Sequence, residues 1–185
     1  AVRAELGIAA GAPVVGSVGR LIELKNHALL IDAMEPLLAE GAALVIVGDG
    51  PTMTTLKQRR EQSARPEAIH LLGARGDVPR LLTALDVFAM SSNSEGLPLV
   101  VPEAMATGLP VVCTAVGGLP SVVDEGQTGY LVPARDAAAL RQRLRALLAD
   151  AAGRRDLGER ARRVALERYS AERMVADYAE LYAGA

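Results

Sequence analysis

Arg20 and Lys25 stand five residues apart in the segment Gly19-Arg20-Leu21-Ile22-Glu23-Leu24-Lys25-Asn26. A planar guanidinium fork beside a compact ammonium is a pairing suited to gripping a diphosphate. Glu95 and Glu103 stand eight apart in the stretch Ser91-Ser92-Asn93-Ser94-Glu95-Gly96-Leu97-Pro98 and the helix expected to begin at Pro98. The first amides of that helix, on Leu99 and Val100, have no partner within it and add donors that favour an anion. A carboxylate on its flank, Glu103, can take two neighbouring hydroxyls, such as those of a ribose, on its two oxygens. Each piece also has an ordinary reading: Arg20 and Lys25 as solvated loop cations, Gly96 and Pro98 as turn punctuation, Glu103 as a solvent-facing residue. Their coincidence at one place in the expected topology favours the chemical reading. The two carboxylates as a glycosidase acid and nucleophile fit poorly. Pro98 to Glu103 alone covers about 7.5 Å of helix, and the preceding loop adds to it, against ~5–5.5 Å in retaining hydrolases; an inverting spacing stays open.

That place is set by the elements. Apolar runs at 13–19, 42–48, 69–73, 87–91, 110–115 and 129–132 read as strands, most of them continuous and so buried on both faces. Segments with helical spacing separate them. Asn26 caps one that carries Leu29, Leu30, Ala33, Met34, Leu37 and Leu38 and stops at Gly41; Pro51 and Pro98 open two more, and Gly108 and Gly126 stop later ones. From Asp136 the chain is helical over 136–150, 154–169 and 170–182. This alternation predicts an α/β fold: a doubly wound, parallel, six-stranded Rossmann-like sheet of order 3-2-1-4-5-6, with a helical C-terminal tail. No repeat or linker divides it, so 1–185 reads as one domain. Ligands of such sheets settle beyond the carboxyl ends of strands 1 and 4, where the order reverses. Those two strands lead directly into Arg20–Lys25 and Ser91–Pro98.

Composition narrows the function. Half of the 185 residues are hydrophobic, enough for a real core. One Phe, four Tyr and no Trp leave little material for base-stacking platforms, and a net charge of −2 gives no footprint for nucleic acid. Cys113, the one cysteine, lies in an apolar run and reads as a buried thiol; with no internal disulfide, a reducing cytoplasm is expected. No stretch is long and apolar enough to span a membrane. Gly48-Asp49-Gly50 has the look of a dinucleotide fingerprint, but Met53 stands where a third small residue belongs, and Leu72-Gly73-Ala74 where an acidic one is wanted. It reads as a tight turn lining the crevice. Asp32, Asp77 and Asp86 are isolated and form no Asp-x-Asp metal motif; no cofactor is expected. His27 reads as a surface residue after the helix cap, His70 as a core residue within a strand.

At these positions the chain resembles glycosyltransferase family 4. The likeness is carried by Val18-Gly19-Arg20-Leu21 with Lys25, Val47-Gly48-Asp49-Gly50-Pro51, Leu72-Gly73, and the segment SSNSEGLPLVVPEAMATG over 91–108. That segment contains the family's Glu-x7-Glu signature as Glu95 and Glu103. Val116-Gly117-Gly118-Leu119-Pro120 and Gly129-Tyr130-Leu131-Val132 continue it, for a reach of about residues 13 to 133. The resemblance implies one half of the two-domain GT-B architecture and retaining transfer from a nucleotide-diphosphate sugar, with no bound metal. It implies that Arg20, Lys25 and the amides of Leu99 and Val100 hold the donor diphosphate and steady it as a leaving group. Glu95, with amides around Gly96 and Leu97, would hold the transferred sugar and belong with Arg20 and Lys25 to the catalytic set. Glu103 would hold the ribose, and Ala74 and Arg75 would lie at the base, met through backbone groups.

Two departures qualify that likeness. Ser121 stands where the family often has Glu. The family's N-terminal domain, which shapes the acceptor pocket and often supplies a histidine, has no counterpart in a chain that opens at Ala1 without Met, and His27 and His70 do not replace it. The chain therefore reads as a fragment that binds a UDP- or GDP-sugar weakly and transfers little alone, its partner being the N-terminal half of the same protein. The alternatives are a non-catalytic sugar-nucleotide-binding module and a sugar-nucleotide 2-epimerase of the same architecture. The Arg-rich tail at 154–168 admits a peripheral membrane contact in the full-length protein, though interleaved Glu and Arg favour a solvated helix.

Overall fold

A computed structural model describes residues 2–183 of the chain; the ends of the expected 1–185 unit, Ala1, Gly184 and Ala185, lie outside the described residues. Six parallel strands, β1 (Val14–Val18), β2 (Ala43–Val47), β3 (Ile69–Leu71), β4 (Val87–Met90), β5 (Val111–Thr114) and β6 (Gly129–Val132), form one sheet of order β3-β2-β1-β4-β5-β6. The expected doubly wound order holds. Between and after the strands run α1 (Val2–Glu5), α2 (His27–Ala39), α3 (Met53–Gln62), α4 (Val78–Leu82), α5 (Val100–Ala106), α6 (Leu119–Val122), α7 (Ala137–Ala149), α8 (Ala151–Tyr169) and α9 (Ala171–Ala183).

The sequence makes the sheet central because successive strand residues are apolar and face opposite ways. Val14, Val45, Val47, Phe88, Met90, Val111 and Cys113 pack against α4, α5, α6 and part of α8. Their neighbours Val15, Leu44, Ile46, Val87, Ala89 and Val112 pack against α2, α3, α7 and Leu157 of α8. Every residue of β2 is buried, as two covered faces require. Burial also pushes the Cys113 thiol up, so it stays protonated.

Asn26 caps α2 as expected: it adopts the left-handed conformation, φ 47°, and its side chain accepts from the Leu29 amide. Several punctuation marks are displaced. Pro51 and Pro98 each lie two residues before the helix they were expected to open; Thr52 and Leu99 occupy the caps of α3 and α5, so the prolines belong to the incoming turns. Gly126 does not stop a helix. α6 is a single turn that ends at Val122, where Val123 turns extended, and Gly126 sits in the following turn with φ +71°.

The histidines also depart from expectation. His27 is 4 % exposed, not a surface residue, because the first turn of α2 is pressed beneath the loop after β4. His70 is only half-buried, since β3 is an edge strand.

Candidate functional site

β1 and β4 lie side by side, Val15 opposite Val87, and their outgoing loops meet beyond the carboxyl end of the sheet. The meeting is built from small polar residues. The Asn93 amide donates to the Leu24 carbonyl at 2.7 Å, the Ser91 hydroxyl to the Asn26 carbonyl at 2.9 Å, and the Asn26 side-chain amide to Asn93 Oδ1 at 3.2 Å. At the centre, Lys25 Nζ donates to both oxygens of Glu95 at 2.7 Å. The Glu95 side chain is 6 % exposed and that of Lys25 22 %. Ser92, itself buried, donates its hydroxyl to Glu95 Oε1 at 2.5 Å. The Ser92 carbonyl in turn accepts from Thr114 Oγ1 at 2.7 Å, which ties the loop to β5.

Glycines let three further loops close on this centre. Gly48 (φ +139°) lies against the Gly19 carbonyl, which a Cβ would approach to 1.9 Å. The β2 turn then carries the loop after β1: the Leu21 amide donates to the Asp49 carbonyl at 2.9 Å, and the Thr52 amide to the Leu21 carbonyl at 3.0 Å. On the other side of the loop after β4, Gly117 (φ +55°) lies against the carbonyl of Glu95, 1.8 Å from where a Cβ would stand. The Gly118 amide donates to the Gly96 carbonyl at 2.8 Å. The third loop follows β3 and is held through the Gly48 amide, which donates to the Gly73 carbonyl at 2.8 Å.

Of the expected site residues, then, Lys25 and Glu95 are in direct contact. Arg20 is exposed on the same loop as Lys25 and forms no ion pair among the described residues. Gly96, Leu97 and Leu99 are exposed beside Glu95, Val100 is half-buried, and the amides of Leu99 and Val100 have no acceptor among the described residues. Glu103 is exposed on α5, where it borders a groove of about 570 Å³ shared with Leu97, Leu99 and residues of α8 and α9. Ala74 is exposed beyond β3. Arg75 is tied into a local network, donating to both oxygens of Asp77 at 2.8 and 2.9 Å, with Glu5 also near. Arg20, Arg75 and Glu103 make no bond to the Lys25–Glu95 pair among the described residues, nor do those residues hold a cluster of three or more His, Cys, Asp or Glu arranged for a metal ion.

Sequence reasoning assigned no individual role to Ser92, Thr114 or the Gly117–Gly118 pair, although Ser92 and the two glycines lie in segments that carry the resemblance. Their signal was present: a run of small polar residues directly after an apolar strand, and a double glycine after the next strand. It read His27 as a surface residue and so missed its place beside the pair. That imidazole's pKa is pulled down to about 4, by burial first and by the Lys25 charge second, with Glu95 opposing. Its Nδ1 has no hydrogen-bond partner among the described residues.

Such an arrangement offers two cations on the loop after β1, and both free amides and carboxylates on the segment from Glu95 into α5, donors and acceptors suited to an anion carrying hydroxyls. Comparison with known proteins agrees in kind. The family model "Glycosyl transferases group 1" matches residues 1–164. The chain is 32 % identical over 179 residues to N-acetyl-alpha-D-glucosaminyl L-malate synthase of Bacillus anthracis, covering 96 % of this chain and 47 % of that protein. It is 36 % identical over 191 aligned positions to D-inositol 3-phosphate glycosyltransferase of Corynebacterium urealyticum, covering 97 % and 45 %. Among solved structures, Anabaena HepE in complex with UDP superposes with a TM-score of 0.91 at 27 % identity, over all of this chain and 52 % of that one. Sucrose-phosphate synthase of Thermosynechococcus elongatus gives 0.86 at 30 %, over 99 % and 49 %. The chain spans about half the length of these proteins.

Proposed function

The chain belongs to the group 1 glycosyltransferases, and from that premise we propose that it is the donor-binding, C-terminal half of a retaining family 4 enzyme of GT-B architecture. The observation that carries this reading is the contact of Lys25 with Glu95 at the β1–β4 switch point, with the Arg20 side chain and the amides of Leu99 and Val100 left without partners among the described residues. Arg20 and Lys25 take the diphosphate of a UDP- or GDP-sugar, and the two amides complete its cradle. As the glycosidic bond breaks, negative charge collects on the departing diphosphate, and these fixed donors stabilise it there. Glu95, with the backbone at Gly96 and Leu97, accepts from hydroxyls of the transferred sugar. Glu103 accepts from the ribose hydroxyls. The base meets the backbone at Ala74 and Arg75, a role compatible with the Arg75 side chain being spent on Asp77. The acceptor lies on an N-terminal half that this chain requires for transfer.

Thermal unfolding of the chain tests the donor site, because a ligand held only by the folded state raises its melting temperature. Millimolar UDP or GDP should raise it by several degrees. Glu103→Ala should reduce the rise and Arg20→Ala should reduce it further, since a bidentate phosphate contact is lost. No rise with either nucleotide ends the donor-site reading.

A further inference from the structure

The donor-site reading gives Lys25 and Glu95 different ligands, yet in the free protein each occupies the other. We infer that this pair is a built-in competitor that makes the site prefer a sugar-bearing nucleotide to the bare nucleoside diphosphate; the inference rests on that reading and adds a selectivity to it. Lys25 Nζ lies 2.7 Å from both Glu95 oxygens, so the ammonium a phosphate would need and the carboxylate edge a hydroxyl would need are used up together.

The two partners are not equally held. Glu95 is fixed by the Ser92 hydroxyl, by its own carbonyl packed on Gly117, and by burial. Lys25 is more exposed and ends the short 3-10 turn Glu23–Lys25. Ligand binding therefore moves the ammonium and leaves the carboxylate in place. A bare diphosphate that draws Lys25 away strands Glu95 with only the Ser92 hydroxyl, and an uncompensated buried carboxylate is costly. A diphosphate sugar repairs what it breaks: phosphate takes the ammonium, and a sugar hydroxyl donates to Glu95. After transfer the sugar is gone, Lys25 returns to Glu95, and the spent nucleotide is loosened.

Isothermal titration of the chain with UDP and with UDP-glucose, and with GDP and GDP-mannose in parallel, tests this. Glu95→Gln removes the competitor while keeping the shape. It should bind the bare diphosphate about five-fold tighter than wild type and the sugar nucleotide more weakly. In a Lys25→Met background the same Glu95→Gln change should bring no gain. Unchanged or weaker diphosphate binding by Glu95→Gln overturns the inference. So does a gain that persists beside Lys25→Met, which would reflect loss of a nearby negative charge and not release of a partner. Wild-type chain that binds none of the four nucleotides overturns the donor-site reading itself, a different failure from a wild type that binds and a Glu95→Gln variant that does not improve on it.

Discussion

His27 shows how far a single side chain's behaviour is set by its neighbours. Its imidazole, facing Lys25 and Glu95 and almost fully buried, has a pKa pulled down to about 4 from an ordinary 6.5. The unfolded chain therefore binds this proton more readily than the folded one. The stabilisation is complete above pH 6.5 and is lost as pH falls from there toward 4, by roughly 3 kcal/mol for a shift of that size. Urea melts of wild type and His27→Asn across that window should diverge in slope, the variant losing less stability on acidification; parallel curves would remove His27 as the source. Nothing in the sequence announced this, because a histidine directly after a helix cap is ordinarily wet. Burial comes from the Ser91–Asn93 loop folding over the start of α2, a contact between segments 65 residues apart. The meeting of Lys25 with Glu95 was legible for the opposite reason: both lie in the loops that leave β1 and β4, where the expected strand order reverses. Ser92 was not legible, since its role exists only through Glu95.

Two helices and their adjoining turns illustrate how glycine divides between holding the fold and shaping the site. Gly158 of α8 rests on the Gly108 carbonyl, which a Cβ would approach to 2.1 Å, far from the Lys25–Glu95 pair. Gly158→Ala should lower stability by about 2 kcal/mol through overpacking while leaving the UDP-induced melting shift intact. Gly117→Ala meets the Glu95 carbonyl at 1.8 Å and must hold φ +55°, itself a cost of about 1–2 kcal/mol for an L-residue. It should lose the nucleotide shift as well. Paired melting curves with and without UDP separate the two, and equal nucleotide shifts in both variants would contradict the assignment. Strand order was legible because six apolar runs broken by turn residues leave few topologies. Helix starts were less so: Pro51 and Pro98 favour the turn as readily as the first helical position, and the proline residue alone does not distinguish them.

Across the whole molecule, stability is concentrated in the sheet and its two helical layers, while α9 stands apart. Met174, Val175, Tyr178, Leu181 and Tyr182 are exposed along it, and none of its residues is buried. Ending the chain after Ser170 should therefore shift the melting temperature by no more than about 2 °C; a larger fall would mean that α9 supports the sheet. The arginines of α8 are largely engaged: Arg154 by the Leu147 carbonyl, Arg160 by that of Gln127, Arg162 by that of Ala106, and Arg168 by Asp124. Cys113, sealed in the middle of β5 and kept protonated by its surroundings, turns this architecture into its own reporter. A water-borne alkylating reagent reaches it only when the sheet comes apart. The modification rate at a single native thiol thus counts excursions to the open chain, and saturating a genuine donor site at 100 times its Kd should slow that clock about a hundredfold.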